Sequence, residues 1–305
     1  MALIEYKIGQ DGVETHDKVQ IAKQRLKSFE PKDGYYLAFS GGKDSVVLKK
    51  LADLAGVKYD AHYSVTTVDP PELVRFIKNN YPDVQFERRY WDDEKTKPIT
   101  MWNLIPKKLM PPTRLARYCC AYFKETNGHG RVTLTGVRWA ESVNRSKHRA
   151  LAENGRKVLF SSDNEEAKRM VEQCYKRSKV TVNPIIDWTD DDVWEFIHEY
   201  DVPYCELYDQ GYKRLGCIGC PMNPETASRD FKRYPRYKEL YLKAFEEMLE
   251  ERKRRGKPTT LKWETAEDVM RWWLEEAPKN DEQQLSMLEE DGIDDVDEFT
   301  EEGTL

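Results

Sequence analysis

From Gly34 onward, short apolar runs rich in β-branched and aromatic residues alternate with longer stretches of helical periodicity. The short runs predict five strands, at residues 35–39, 58–65, 84–87, 131–137 and within 179–186. The periodic stretches predict helices over 44–55, from Pro70 through Lys78, and after Thr189, which is a good helix cap. Alternating strands and helices are typical of an α/β protein whose mostly parallel, twisted sheet carries helices on both faces.

The ends of the chain differ from this central region. Residues 1–30 have the pattern of a helical lead-in, and the chain beyond Pro224 is again helical and charged. We therefore expect an α/β domain over 31–225, a helical C-terminal region over 226–278 and an acidic tail over 279–305. The tail has the composition of a solvated, disordered segment.

Composition narrows the class of protein. The 305 residues are 39% hydrophobic and 34% charged, which allows a sizeable core under a very polar surface. No run of about 18 apolar residues occurs, and the N-terminus lacks the apolar core of a signal peptide. We expect a cytoplasmic protein that has no membrane partner. The net charge is −6, but the acidic tail over 279–305 leaves the rest of the chain mildly basic, which suits an anionic ligand.

One loop has the composition of an anion site. After the first strand come Ser40, Gly41, Gly42, Lys43, Asp44 and Ser45, and a helix follows directly. Glycines let a ligand approach the backbone, and the first turn of a helix offers unpaired N–H groups to a negative charge. Lys43 adds a cation, while the two serines add hydroxyl donors. Asp44 either caps the helix or helps to hold Mg²⁺ on a pyrophosphate.

Four of the six cysteines form two groups. Cys119 and Cys120 are adjacent, and Cys217 and Cys220 form a C-x-x-C with two glycines that permit a tight turn. In a reducing compartment such groups indicate a zinc site, an iron–sulfur cluster or redox thiols. Adjacent cysteines point poorly at one ion but can take different corners of a cubane, so the spacing favours a [4Fe–4S] cluster. Cys174 and Cys205 have the character of buried hydrophobic residues.

These motifs together resemble the phosphoadenosine phosphosulfate (PAPS) reductase family over roughly residues 33–225. The loop at Ser40–Ser45 is similar to the family's PP-loop, and the cysteine pair and C-x-x-C are similar to those of its iron–sulfur branch. Gly136–Ser142, followed by Arg145, resembles its Gly-x-Arg-x-x-Glu-Ser segment. Further similarity lies in Pro184–Trp194, in Pro203-Tyr204 and Leu207–Tyr212, and in Lys124, which follows the cysteine pair.

The resemblance implies a fold like that of the adenine nucleotide α-hydrolases. Its site residues would be the loop Ser40–Ser45 together with Gly136, Arg138, Glu141 and Arg145, with Lys43, Asp44 and Arg138 in catalytic roles. Arg138 and Arg145 would grip phosphate or sulfate oxygens, and Glu141 would orient them. Thr113, Arg114 and Arg117 are weaker candidates for the same anion. Lys124 would tune the potential of a cluster held by the four cysteines.

One departure from the family pattern decides between two activities. Reductases of the family carry a nucleophilic cysteine in a C-terminal segment, and here no cysteine follows Cys220. Relatives that lack this segment include a sulfur-activating subunit that hydrolyses ATP at the α–β bond. The leading hypothesis is therefore ATP pyrophosphatase chemistry coupled to sulfur transfer onto nucleic acid or a small molecule, with a sulfur-donor or electron-donor protein as partner. The alternatives are an adenylyl-sulfate or PAPS reductase that uses an external thiol, and a non-catalytic nucleotide sensor.

Overall fold

The structure is a computed structural model that describes residues 3–9, 12–154, 157–160, 180–257, 261 and 263–279. The acidic tail, apart from Lys279, and Cys174 lie outside these residues. The chain forms two compact units, and neither is one continuous stretch. The sheet unit comprises Met1–Ser64, Pro71–Glu87 and Gly128–Leu215, and the helical unit comprises Val65–Pro70, Arg88–Asn127 and Gly216–Leu305.

The sheet unit contains a seven-stranded, mostly parallel sheet, so the predicted α/β class is confirmed. Its strand order is β5-β4-β3-β6-β9-β7-β8. The contacts of β3 with β4 and β6, of β4 with β5 and of β6 with β9 are parallel. The strands are β3 (Tyr35–Ala38), β4 (Tyr59–Ser64), β5 (Gln85–Glu87), β6 (Val132–Leu134), β7 (Ala152–Asn154), β8 (Lys157–Phe160) and β9 (Val180–Val182).

Two features of this unit differ from the sequence prediction. The helical prediction for residues 1–30 is wrong over most of the first half, where β1 (Ile4–Gly9) pairs with β2 (Gly12–Asp17) in an antiparallel hairpin. Helix α1 (Lys18–Ser28) begins only after this hairpin. The short strands β7 and β8 were not predicted, and they pair antiparallel at one edge of the sheet. All five predicted strands are present, with ends that differ by one to a few residues.

Helices connect the strands of the sheet unit. They are α2 (Lys43–Ala55), α3 (Pro71–Asn80), α6 (Val143–His148) and α7 (Asp190–Glu199), besides α1. Leu37 of β3, Leu134 of β6 and Leu51 of α2 are fully buried. Burial of each such side chain contributes about 1.5–3 kcal/mol to folding. Helix α2 ends at Gly56, whose φ of 69° gives the left-handed conformation that commonly closes a helix.

The order of the strands fixes where a ligand can bind. Strand β3 lies between β4, which follows it in the chain, and β6, so the direction of the winding reverses between β3 and β6. The loop at Ser40 leaves the carboxyl end of β3, and Gly136 follows the carboxyl end of β6. Open α/β sheets bind ligands in the crevice at such a reversal.

The helical unit has a separate apolar core. Its helices are α4 (Met101–Lys108), α5 (Tyr118–Cys120), α8 (Pro224–Arg233), α9 (Pro235–Arg254) and α10 (Ala266–Arg271), and a wider helical turn at Ala121–Glu125 continues α5. Tyr241, Phe245 and Trp273 are buried together in this core, with Leu104 and Ile105 of α4. The expected helical character of the C-terminal region is confirmed, whereas its bounds at 226–278 stay a prediction. No helix in the described ranges has the length and apolar character that crossing a membrane requires.

A buried ion pair joins the start of α1 to the start of α7. The Oδ2 atom of Asp192 accepts from Lys18 Nζ at 2.7 Å and from the backbone N–H of Thr189 at 2.7 Å. Thr189 Oγ1 in turn accepts from the Asp192 N–H at 3.2 Å, which completes a capping box. Asp192 is fully buried, while Lys18 also contacts the half-exposed Glu5 at 2.6 Å.

Replacing Asp192 by alanine is expected to lower the free energy of unfolding by about 3 kcal/mol, because the buried ammonium of Lys18 loses its buried partner and α7 loses its cap. Urea unfolding followed by circular dichroism measures the loss. The matched control is Asp191→Ala, on the exposed side of the same turn, with an expected change of about 0.5 kcal/mol or less. Equal losses in the two variants would contradict this account.

Candidate functional site

The loop between β3 and α2 is a tight glycine turn closed by serine hydroxyls. Gly41 has a φ of 72°, and an added Cβ would lie 2.7 Å from Ile77 Cδ1 and 2.8 Å from Leu73 Cδ1. Only glycine therefore fits here. Ser45 Oγ donates to the Gly42 carbonyl at 2.9 Å and accepts from the Ser40 N–H at 3.2 Å. The hydroxyl of Ser45 thus holds the two ends of the loop together.

The first N–H groups of α2 are bonded to neutral hydroxyls. Gly42 is the N-cap of the helix and makes no side-chain cap bond. The Lys43 N–H donates to the phenol oxygen of Tyr208 at 2.8 Å, and the Gly42 N–H donates weakly to Ser40 Oγ at 3.4 Å. A phosphate oxygen is a stronger acceptor than either hydroxyl and is favoured by the dipole of the helix. Tyr208 was within a motif of the sequence analysis but was not identified as a site residue.

Arg138 joins the loop to the start of α7. Its Nε donates to Asp44 Oδ1 at 2.7 Å, its Nη2 to Asp190 Oδ1 at 2.5 Å, and its Nη1 to the Trp188 carbonyl at 3.2 Å. The side chain of Arg138 is only 1% exposed. As placed, Arg138 positions two carboxylates, and direct contact with a ligand stays a prediction. Asp44 bonds to Arg138 and does not cap α2.

Lys43 completes this charged group. Its Nζ lies 3.3 Å from Asp190 Oδ1 and 3.7 Å from Asp44 Oδ2, so two cations face two carboxylates. Burial alone lowers the pKa of Arg138, but Asp44 and Asp190 outweigh it and raise that pKa. Burial raises the pKa of Asp190, yet Arg138 and Lys43 bring it below the usual value. Arg138 and Asp190 are therefore charged at neutral pH. From the sequence alone, Asp190 was expected only to lie in the capped first turn of a helix.

Gly136 lies against the backbone of Asp44. A Cβ on Gly136 would come within 3.0 Å of the Asp44 carbonyl carbon, carbonyl oxygen and Cβ. The end of β6 can approach the start of α2 this closely only because residue 136 has no side chain. The role of Gly136 in the structure is thus to let Arg138 reach Asp44.

Glu141 contacts the backbone of Arg138 and the side chains of two further arginines. Its Oε1 accepts from the Arg138 N–H at 3.1 Å and from Arg145 Nη1, and its Oε2 lies 3.5 Å from Arg214 Nη2. Burial lowers the pKa of Arg145, and although Glu141 opposes this, the charges of Arg214 and Arg149 lower the pKa further. Glu141 thus bonds to both arginines that the sequence named, while its role in orienting them for a ligand stays a prediction. Arg214, 62% exposed at its side chain, was missed because only the tertiary fold brings it here.

The weaker anion candidates lie in the helical unit. Thr113 is almost fully buried, and its Oγ1 accepts from the Ala116 N–H at 3.0 Å, which is the contact of a turn. Arg117 lies 3.5 Å from Glu125. Arg114 is exposed. Their roles as anion ligands stay predictions.

The four grouped cysteines all lie in the helical unit. Cys119 and Cys120 end α5, while Cys217 and Cys220 lie in the loop before α8. All four are free thiols with partial exposure. Gly219 shapes the loop, because it has a φ of 69° and a Cβ there would lie 2.6 Å from Phe231 Cζ.

These thiols act on one another electrostatically. The pKa of Cys119 is raised well above its usual value, first by its hydrogen bond with Cys120 and by burial, and then by the charges of Cys120, Cys217 and Cys220. The same hydrogen bond, with help from the nearby Lys124 and Arg117, lowers the pKa of Cys120 to about 5. One member of the pair is therefore a thiolate at neutral pH, the form that binds metals.

Lys124 lies beside the second pair of cysteines. Its Nζ is 3.7 Å from Cys217 Sγ, which also donates to Thr66 Oγ1 at 3.6 Å. The negative charge of a Cys217 thiolate would raise the pKa of Lys124, but burial raises the pKa of Cys217 itself to about 11. Among the described residues no group of three or more histidine, cysteine, aspartate or glutamate side chains is placed to hold a metal ion. The choice among a zinc ion, an iron–sulfur cluster and redox thiols therefore stays a prediction.

Comparisons with known proteins point to one family. The model of the phosphoadenosine phosphosulfate reductase domain matches residues 34–223. An uncharacterized protein of Methanocaldococcus jannaschii is 28% identical over 229 residues, which are 72% of this chain and 47% of that protein. The chain thus spans about half of the archaeal relative. Adenosine 5′-phosphosulfate reductase of Staphylococcus epidermidis is 25% identical over 220 residues, 68% of this chain and 77% of that enzyme.

Solved structures with some similarity include the phosphoadenylyl-sulfate reductase of Candida auris in a phosphate complex. It has a TM-score of 0.43 and 16% sequence identity, and the match covers 70% of this chain and 98% of that chain. The FMN adenylyltransferase of Candida glabrata has a TM-score of 0.40 and 16% identity, with 66% and 60% of the two chains covered.

Replacing Gly136 by alanine is expected to weaken nucleotide binding about tenfold, or about 1.4 kcal/mol, because the new methyl group displaces the start of α2. Calorimetric titration with a non-hydrolysable ATP analogue measures the affinity. Gly216→Ala is the matched control, since a Cβ there meets nothing within 4 Å. Unchanged affinity in a folded Gly136→Ala protein would show that the close approach has no part in binding.

Proposed function

Because this chain belongs to the phosphoadenosine phosphosulfate reductase family, we propose that it binds ATP at the Ser40–Ser45 loop and cleaves it to AMP and pyrophosphate in order to transfer sulfur. Members of the family are expected to bind a nucleotide at the PP-loop. What we propose for this chain is that the nucleotide is ATP and not a sulfonucleotide, and that its cleavage is coupled to sulfur transfer.

The observation that carries this proposal is the pair of carboxylates beside the anion loop. A site for a bare sulfate would be weakened by two negative charges, whereas a pyrophosphate carries Mg²⁺, which carboxylates bind. Mg²⁺ on a nucleotide is usually held by one or two carboxylates together with phosphate oxygens and water. Asp44 and Asp190 supply these carboxylates, and Arg138 bonds the Oδ1 atom of each and fixes their positions.

The other residues of the loop would bind the phosphates. The N–H groups of Gly42 and Lys43 would exchange their hydroxyl partners for oxygens of the pyrophosphate, with the ammonium of Lys43 alongside. Arg145 and Arg214, gathered by Glu141, would bind a further anionic group of the nucleotide or the acceptor. Preorganised donors of this kind stabilise the charge that develops on the leaving group.

The proposed reaction has two displacements. An oxygen of the acceptor attacks the α-phosphorus, the bond from that phosphorus to the bridging oxygen breaks, and pyrophosphate leaves with the bonding electrons. A sulfur nucleophile from a donor protein then attacks the activated carbon or phosphorus of the acceptor. The bond to the activated oxygen breaks, and AMP leaves with that oxygen. Lys43 would offset the negative charge of the leaving pyrophosphate, while Arg138 would position the two carboxylates that hold Mg²⁺ on it.

We also propose that Cys119, Cys120, Cys217 and Cys220 hold a [4Fe–4S] cluster. The observations that support it are four free, mutually interacting thiols, one of them with a pKa of about 5, and a lysine 3.7 Å from another. A cubane accepts each thiolate at a separate iron corner, so the four sulfur atoms need not converge on one ion. When bound, such a cluster would supply electron transfer or a structural link between the four thiolates, and Lys124 would raise its potential.

The second candidate is a reductase of adenylyl sulfate that uses an external thiol. The Staphylococcus relative is named as such a reductase, and within the 305 residues no cysteine follows Cys220 that could act as the family nucleophile. In that case thioredoxin or a donor protein would supply the thiol.

Anaerobic protein incubated with MgATP is expected to release pyrophosphate, and Asp190→Asn is expected to reduce kcat/KM about 100-fold because a ligand of the metal is lost. Raising the Mg²⁺ concentration should restore part of this activity, which a purely structural role of Asp190 would not allow. The control is Asp191→Asn on the next residue of α7, which should behave as the wild type. Sulfite from adenylyl sulfate and thioredoxin, without pyrophosphate from ATP, would establish the reductase instead.

Anaerobically purified protein is expected to contain about four iron atoms and four acid-labile sulfides per chain. Serine at any of the four grouped cysteines should lower the iron content and bleach the broad visible absorption. Cys205→Ser is the control, because Cys205 is fully buried in the sheet unit and should leave the iron content unchanged. A wild-type protein without iron and sulfide contradicts the cluster.

A further inference from the structure

The junction of α8 and α9 presents a concentrated basic surface. In the eleven residues 228–238 the only acidic residue is Asp230, and it is buried. Five basic side chains in the same stretch are exposed, and we call them the α8–α9 basic face: Arg229, Lys232, Arg233, Arg236 and Lys238.

The inner side of α8 fixes this face to the cysteine loop. Phe231 packs against Gly219 so tightly that no side chain fits at residue 219. The carboxylate of Asp230 accepts the backbone N–H of Gly219 and lies 3.3 Å from Thr226 Oγ1. Phe231 also contacts Trp273, with ring centroids 6.3 Å apart. The basic face is therefore held rigidly beside the C-x-x-C loop and is not a flexible charged segment.

The charges on this face are unfavourable for the isolated fold. Arg229 and Lys232 of α8 are three residues apart, a spacing at which like charges repel along a helix. The first turn of α9 contains no acidic residue and has no side-chain cap, although its N-terminus carries the positive end of the helix dipole. In the described part of the chain, Lys232, Arg236 and Lys238 form no ion pair with another residue.

The other basic run of the chain is different. Arg252 is buried and donates to the Leu109 carbonyl at 2.6 Å. Arg254 and Arg255 both bond to Glu251, at 2.6 and 2.5 Å. Three arginines of this run are thus held by local contacts at the end of α9, whereas Lys232, Arg236 and Lys238 of the α8–α9 basic face are exposed.

We propose that the α8–α9 basic face binds the phosphate backbone of a nucleic acid. Arginine forks and lysine ammonium groups are the side chains that bind phosphate oxygens, and five of them lie within eleven residues here. This density of positive charge fits a duplex, which carries about one negative charge per 1.7 Å of its axis, better than it fits the sparser carboxylates of a folded acidic protein. If the proposed sulfur transfer is correct, the nucleic acid bound here is its acceptor; the binding surface itself does not depend on that step.

The test measures the affinity of the full-length, anaerobically purified protein for fluorescein-labelled 20-nucleotide DNA by anisotropy, with single-stranded and duplex probes in separate arms. The triple variant Arg229→Gln, Lys232→Gln, Arg236→Gln removes three charges of the basic face. The matched control, Lys253→Gln, Arg254→Gln, Arg255→Gln, removes three charges of the other basic run. For the duplex, the slope of log K against log salt should decrease by about 3 in the first variant and by less than about 1 in the second.

Three results would overturn the inference: no binding to either probe at 50 mM salt, equal loss of affinity in the two triple variants, or displacement of DNA by polyglutamate at equal charge concentration. The last would identify an acidic polypeptide as the occupant, such as the acidic stretch within 281–302. Pyrophosphate release is measured on the same samples. If the protein releases pyrophosphate but does not bind DNA, the proposed DNA-binding surface is wrong and the proposed function stands. If it binds DNA but releases no pyrophosphate, the proposed function is wrong and the DNA-binding surface stands.

Discussion

Burial of Arg138 is the constraint on which the arrangement of the site depends. A guanidinium that is 1% exposed is tolerated only with ionised partners, and removing one partner of such a pair costs about 3–5 kcal/mol. Its partners lie at the start of α2 and at the start of α7, and Arg138 itself follows β6. One side chain thus fixes three elements at the sheet crevice. Gly136 makes the approach possible, and Glu141 accepts the backbone N–H of the same arginine.

Much of the fold was predictable because its strands are short, apolar and separated by clear breaks. Leu37 and Leu134, in the middle of the sheet, lie in runs that can only be strands. The hairpin over Ile4–Asp17 was missed even though Ile4, Tyr6 and Ile8 alternate with polar residues. That alternation is a strand signal, but it was outweighed by the helical pattern of the adjoining Lys18–Ser28. Strands β7 and β8 have only three and four residues, too few for periodicity to identify.

The candidate site, like the fold, contains residues that the sequence predicts and residues that it does not. The loop at Ser40–Ser45 and the segment at Gly136–Arg145 could be found because each is a local motif with local chemistry. Asp190, Tyr208 and Arg214 could not, because their sequence contexts are a helix start, an aromatic stretch and a loop. They reach the site only through pairing of β6 with β9 and the return of the chain through α7. The two pairs of thiols are likewise brought together by tertiary structure, although their spacing had indicated a shared role.

The interrupted course of the helical unit has a consequence for folding. Its two cysteine pairs are separated in the chain by Gly128–Leu215, which belongs to the sheet unit. Closing a loop of that length carries an entropic cost that grows with the logarithm of its length, but folding the intervening segment shortens the effective loop. On the ribosome, Cys119 and Cys120 emerge long before Cys217, so they must remain reduced and unpaired through the synthesis of four strands. Assembly of the thiol group is accordingly a late event, coupled to completion of the sheet.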